Sequence, residues 1–210
     1  MRIVDSIKVI IPNREEFLRG CQEYEKHEKR DSMYKVTSFL VSHFWGNPSK
    51  MADGLGVLLL TWNQAFYRYG SFDFDKLELC LENNFNNIDN YRKRDIQSLG
   101  NIDEIGVIYL FDELLEALAI KIKEVKRSSP VAVGKAMHIL APNYFPLWDK
   151  AIAKAYGFNL TKPAKEYFSF CKISKEMLNE IKGYNDDKLD KPLLRLIDEF
   201  NYSKYTKKWI

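Results

Sequence analysis

The sequence predicts an all-α chain of two closely packed helical lobes with a cleft between them. Three observations carry this expectation. Apolar residues recur at intervals of three and four over most of the 210 positions, the spacing of one face of a helix. Residues that start and stop helices punctuate those runs, with Asn13, Ser32 and Asp103 at beginnings and Gly70 and Gly157 at ends,. No stretch reads convincingly as a sheet, and no repeat or low-complexity tether interrupts the pattern. The count comes to roughly nine or ten helices.

Residues 1–12 mix β-branched residues with charge and end at Pro12, which fits a short extended arm. Asn13 then caps a helix whose first turn holds Glu15 and Glu16 and whose apolar face holds Phe17, Cys21 and Tyr24,. The charged run from Glu23 to Arg30 is a solvated face or a helix end. Ser32 caps a second helix with a stripe of Val36, Phe39, Leu40, His43 and Phe44, stopped by Gly46-Asn47-Pro48,. Ser49 begins a third helix that runs to Gly70, apolar all round at its centre, which reads as buried inside a bundle,.

A shorter amphipathic helix spans Phe72 to Asn83, Asn83 to Asn87 is a polar break, and another helix follows from Ile88 to Leu99. Asp103 caps a long helix through Ile122 with a basic end from Lys121 to Arg127,. Pro130 to Gly134 reads as a tight turn leading into an apolar helix, with Lys135 at or near its entry,. Asp149 opens the next helix, Lys162-Pro163 a further one that continues or restarts at Ser174, Asn185 to Asp187 is a polar turn, and Leu193 to Phe200 is the last. The lobes follow as residues 1–48 with 142–210, and 49–141 ending in the turn and the Lys135 helix.

Composition bounds the function. A hydrophobic fraction of 46% fits a globular core, and 13 Phe, 12 Tyr and 4 Trp supply stacking surfaces as well as buried area,. A net charge of +3 permits an anionic partner without demanding one,. Cys21, Cys80 and Cys171 are scattered, with no metal-ligand spacing, so three reduced thiols and no metal or cofactor are expected,. The apolar run from Gly54 to Trp62 is too short to span a bilayer, and no secretory signal is visible, so a cytoplasmic monomer is expected,.

Two residues carry most of the chemistry. Lys135, if near a helix N-terminus and partly buried, has its charged form disfavoured, and a neutral amine can attack an electrophilic carbon. The bland alternative is a solvated lysine. Asp149 is an N-cap, a role compatible with stabilising a cationic sugar intermediate or orienting a nucleophile across the same cleft. Main-chain amides around Ser129, Val131, Val133 and Gly134 could hold phosphate if the turn leads into a helix. Asn63 and Gln64, in an otherwise apolar segment, either hydrogen-bond internally or contact a nucleotide in the cleft. His138 is either a packed core residue or a pocket residue. Arg92 to Arg94 read as a solvated face.

The order of these residues resembles the helix-hairpin-helix DNA glycosylases, the superfamily of endonuclease III and the 8-oxoguanine glycosylases. Thr61-Trp62-Asn63-Gln64 is similar to the polar end of that family's early core helix. Val133-Gly134-Lys135-Ala136-Met137-His138 resembles the hairpin end and the helix bearing the catalytic lysine. Leu147-Trp148-Asp149-Lys150 resembles the segment bearing the catalytic aspartate. The hairpin has one glycine fewer than the usual Leu-Pro-Gly-Val-Gly, and Lys135 follows the glycine directly. The resemblance implies a helix-hairpin-helix element and double-stranded DNA containing a damaged base as partner. It implies excision of an oxidised purine or similar base through a Lys135 Schiff base, with strand nicking. Trp62, Phe145 and Trp148 are then stacking candidates around the extruded base, with Asn63, Gln64 and His138 beside them. A catalytically silent DNA-binding or protein-interaction module of the same fold is the alternative.

Overall fold

The computed structural model describes residues 2–4, 7–9, 11–184 and 191–210. The chain is all-α, and its helices pack closely on one another. Two short strands, β1 (Arg2–Val4) and β2 (Ile7–Val9), pair antiparallel before the first helix. Helix α1 (Arg14–His27) starts where Asn13 accepts a hydrogen bond from the Glu16 amide at 2.9 Å. Its Phe17, Cys21 and Tyr24 are buried, and this face lies against α10 (Leu193–Asn201).

Helix α2 (Ser32–His43) begins after Asp31, whose φ of 44° is left-handed. Aspartate tolerates that region better than most residues. Its carboxylate does not cap α2 and instead accepts from the Arg195 guanidinium. Helix α3 (Pro48–Trp62) is capped by Asn47, with Pro48 at a first-turn position where its missing amide costs nothing,. Met51, Leu55, Leu58 and Leu59 are fully buried between α2 and α5 (Phe74–Arg92). The helix does not run to Gly70 as its apolar content predicts. It ends at Asn63, and a single turn, α4 (Gln64–Tyr67), follows.

Helix α5 crosses the polar break expected at residues 83–87. Leu77, Leu81, Asn84, Ile88 and Tyr91 keep helical spacing on its buried side. Asn84 satisfies its amide by donating to the Cys80 carbonyl one turn back at 2.9 Å,. Asparagines at the other positions face outward, so polarity here marks a face and not an end.

The basic end expected for the following helix is instead a β-hairpin. Helix α6 (Glu104–Ala117) stops, and β3 (Ile120–Ile122) pairs with β4 (Val125–Arg127) through Lys123 and Glu124 at φ 48° and 62°. Two consecutive left-handed residues give a two-residue turn whose twist suits paired strands. Helix α7 (Pro130–Leu140) follows directly, with Ser129 accepting from the Ala132 amide at 3.2 Å. The tight turn expected over Pro130 to Gly134 is therefore the start of α7 itself.

Helix α8 (Lys150–Ala155) is capped by Asp149, α9 (Pro163–Ile181) runs unbroken through Ser174, and α10 passes into a π-helical turn, Tyr202–Thr206. The polar turn expected at Asn185 to Asp187 lies outside the described residues. One continuous apolar cluster, from Phe17 through Leu110 and Trp148 to Phe200, joins the two lobes that the sequence divides. Helix α2, placed by that division in the terminal lobe, has its broadest contact with α3 of the central one.

Candidate functional site

A cavity of about 620 Å³ opens where the end of α3, the middle of α7, the starts of α2 and α8, and α10 converge. That is the size range of small-molecule sites. Lys135, Asp149, Trp62 and Trp148 line it, as do Asp31, Arg195 and Asp198.

Lys135 sits in the second turn of α7, past the reach of the helix N-terminus,. Burial is what lowers its amine. Desolvation pulls the amine down to about 8, against the opposing charges of Asp198 and Asp149,. Its Nζ donates to the Trp62 carbonyl at 2.8 Å and lies 5.7 Å from that indole centroid. The bond holds the amine at the end of α3, where the helix leaves its last carbonyls open.

Asp149 Oδ1 accepts from the Ile152 amide at 2.8 Å, the capping contact expected of it,. Its Oδ2 accepts from Thr206 Oγ1 at 2.6 Å. The π-helical turn at the C-terminus therefore fixes the carboxylate that begins α8. Such turns insert one residue per turn and redirect side chains.

The other expected site residues divide. Trp62 is half-buried and faces Tyr34, with ring centroids 6.0 Å apart and planes 16° from parallel. Trp148 lines the cavity yet is 1% exposed, held by a hydrogen bond to the Pro130 carbonyl and stacked on Phe170. Phe145 is fully buried and lies away from the cavity lining. His138 is equally buried, its Nδ1 on the Phe145 carbonyl at 2.8 Å and Nε2 on Tyr34 Oη at 3.1 Å. Burial pushes this imidazole down to about 3, so it is neutral. It is the packed histidine of the two readings.

Asn63 donates to Ser129 Oγ at 3.0 Å and ties α3 to the cap of α7, while Gln64 is exposed and outside the cavity lining. Val131 is half-buried in the first turn of α7. Val133 and Gly134 are buried within the helix, and the Val133 amide already bonds the Ser129 carbonyl at 3.3 Å. Gly134 serves packing: a Cβ there would lie 2.5 Å from Trp148 Cδ1.

Sequence reasoning missed the charged floor of the cavity. Arg195 is 1% exposed on α10. It pairs with Asp198 through Nη1, and its Nη2 reaches Asp31 at 2.8 Å and Tyr24 Oη. Its Cζ lies 4.4, 4.9 and 5.5 Å from the ring centroids of Tyr34, Tyr24 and Trp62. Burial opposes the guanidinium charge, but Asp198, Tyr24, Asp31 and Glu199 outweigh it and raise the group above its ordinary value. The available signal was Arg195, Asp198 and Glu199 at spacings of three and four inside an otherwise apolar helix,.

No family model matches this chain, and no curated protein or solved structure matches it either. Among the described residues, no group of three or more His, Cys, Asp and Glu could hold a metal ion, and no helix is long and apolar enough to cross a membrane.

Proposed function

We propose that the chain is a DNA glycosylase with lyase activity that excises a damaged base, such as an oxidised purine, through Lys135. One observation carries this reading: a desolvated amine at about 8 and the capping carboxylate of Asp149 line a single cavity. An amine with that value is about one-tenth neutral at pH 7, far more than an ordinary lysine of about 10.4, and the neutral form is the one a nucleophile requires,. The volume suits an extruded nucleotide, and the half-buried Trp62 offers a ring for its base,. Lys29 and Arg30, also lining the cavity, are cations suited to flanking phosphates,.

In this mechanism Lys135 Nζ forms a bond to C1′ while the glycosidic bond breaks and the base leaves with its electron pair. Asp149 lies beside the sugar as positive charge develops there. The amine loses its proton and the ring oxygen departs from C1′, leaving an imine. Loss of a C2′ proton then expels the 3′ phosphate and nicks the strand.

A second reading, a catalytically silent binding module, draws on two observations. The Lys135 amine is already engaged by the Trp62 carbonyl, and the Val133 amide by the Ser129 carbonyl. Borohydride trapping on a panel of lesion-bearing and abasic duplexes separates the two. The glycosylase forms a covalent adduct that Lys135→Ala abolishes. The silent module gives salt-sensitive DNA binding, or protein binding, with no adduct.

A further inference from the structure

A lysine nucleophile must give up a proton before it attacks, and Asp149 is one carboxylate within its cavity. Both of its oxygens are engaged, one by the Ile152 amide and one by Thr206 Oγ1. A second carboxyl group lines the same cavity, that of Asp198 on α10. Its hydrogen bond is from Arg195 Nη1 to Oδ2.

The surrounding charges do not balance. Asp31, Asp198 and Glu199 gather around Arg195, and the further cation, Lys191, pairs with Glu199 at 2.9 Å and with the more exposed Glu25. Among the described residues, three buried or partly buried acids thus face two cations in this cluster. A low-dielectric site does not hold a surplus negative charge; one acid binds a proton or another cation completes the set. Glu199 is fully buried, bonded to Lys191, and outside the cavity lining, so its proton has no route to the amine. Asp198 lines the cavity with Lys135 and is the first of the charges that act on that amine.

We propose that Asp198 is the acid–base partner of Lys135, the two sharing one proton across the cavity, with Arg195 as the residue that positions the carboxyl. The pair has two forms: an ammonium with a carboxylate, or a neutral amine with a carboxylic acid. Passage from the first to the second moves one proton from Nζ to the Asp198 carboxyl, and no other group changes charge. The nucleophile is thereby made without a hydroxide ion and without exporting a proton to solvent. Lys135 Nζ bonds the Trp62 carbonyl and Asp198 bonds Arg195, so the proton passes between them by way of the cavity they both line,.

The electrostatics agree with this geometry. Burial chiefly, then Glu199, Asp149 and Asp31, raise Asp198 to about 7 against the pull of Arg195, while Lys135 falls to about 8. Asp198 is the foremost charge acting on Lys135, and groups that interact strongly titrate as a pair,. The charges facing Lys135 are Asp198 and Asp149. Tyr24, Tyr34 and Tyr202 pack around Asp198 from α1, α2 and the π turn, and burial raises all three phenols, so they stay neutral.

The inference uses the glycosylase reading for its purpose, but the test of the pair needs no DNA. Reductive methylation of Lys135 by formaldehyde and cyanoborohydride is followed against pH by peptide mass spectrometry. Asp198→Asn removes a charge that raises the amine, so the labelling midpoint is expected to move to lower pH by about one unit. An unmoved midpoint overturns the shared proton. Asp31→Asn takes the same charge from Arg195 but not from the amine, and is expected to leave the midpoint in place; an equal shift there overturns the assignment to Asp198. Should Asp198→Asn not fold, carbon-13 NMR of aspartate-labelled wild-type protein decides. The Asp198 carboxyl is expected to titrate near neutrality, and one that titrates below pH 5 overturns the pair.

In single-turnover trapping, Asp198→Asn is expected to lose about 100-fold, at the lower end of general acid–base contributions. Trapping at or above the wild-type rate overturns the acid–base role. A midpoint that shifts in a protein whose wild type traps no substrate sinks the glycosylase reading and leaves the proton pair standing.

Discussion

Thr206 donates its hydroxyl to Asp149 Oδ2 at 2.6 Å, a bond from the last turn of the chain to the residue that opens α8. Because Ile152 occupies the other oxygen, Asp149 has a fixed rotamer. Thr206→Val removes the bond while keeping the volume. Its net worth of about 1 kcal/mol corresponds to roughly a fivefold fall in single-turnover trapping if orientation of the carboxylate matters. The melting temperature should fall by only a few degrees. An unchanged rate with lowered stability would leave the threonine a purely architectural role.

Asp149 itself separates capping from chemistry. Asparagine caps about as well as aspartate, whereas alanine costs about 1 kcal/mol. Asp149→Asn is therefore expected to melt near the wild type and bind DNA as before, with turnover reduced at least tenfold. Undiminished turnover in that variant confines Asp149 to the cap.

Gly134 tests whether the chain here binds phosphate or packs. Its added methyl group meets an indole that is 1% exposed and cannot retreat. Gly134→Ala is expected to cost about 1–3 kcal/mol, typical of overpacking, read as a lower denaturant midpoint. DNA affinity per folded molecule should be unaltered. A stable variant with weakened DNA binding would return the glycine to phosphate recognition.

His138 makes a pH signature. Its folded value is depressed to about 3 by burial, below the ordinary 6.5. The fold thus favours the neutral ring, and its contribution is fully present above pH 6.5 and lost as pH falls toward 3. Asp198, raised to about 7, has the opposite sign: its contribution is present at low pH and lost as pH rises toward 7,. The two partly cancel in the wild type. Comparison with His138→Gln isolates the histidine, because Asp198 is common to both proteins. The stability gap between them should shrink by about 1.4 kcal/mol per pH unit below 6.5. A gap independent of pH would show the ring to be charged or accessible.

Much of this was legible in the sequence, for stated reasons. Asn13 and Asp149 each cap as read, since capping depends on neighbours three residues away. The shared cavity of Lys135 and Asp149 followed from placing them near successive helix starts, although Lys135 proved to lie one turn further in. Local composition misled where tertiary packing decides. Asparagines at 83–87 look like a break until α3 covers the other face of α5. Lys121 to Arg127 look like a helix end, but the two left-handed residues between β3 and β4 lack the glycine that announces such turns. Arg195 escaped notice because two of its partners, Asp31 and Tyr24, lie far away in sequence, although Asp198 and Glu199 stand beside it on the helix. Pairings of that kind are not written in any window of neighbours.

The central claim is that the Lys135 amine attacks a sugar carbon. The direct measurement is the site of the reduced adduct after borohydride treatment with a damaged or abasic duplex, mapped by peptide mass spectrometry. The account predicts that the modified peptide carries the adduct on Lys135. An adduct on any other residue, retained in full by Lys135→Ala, would contradict it.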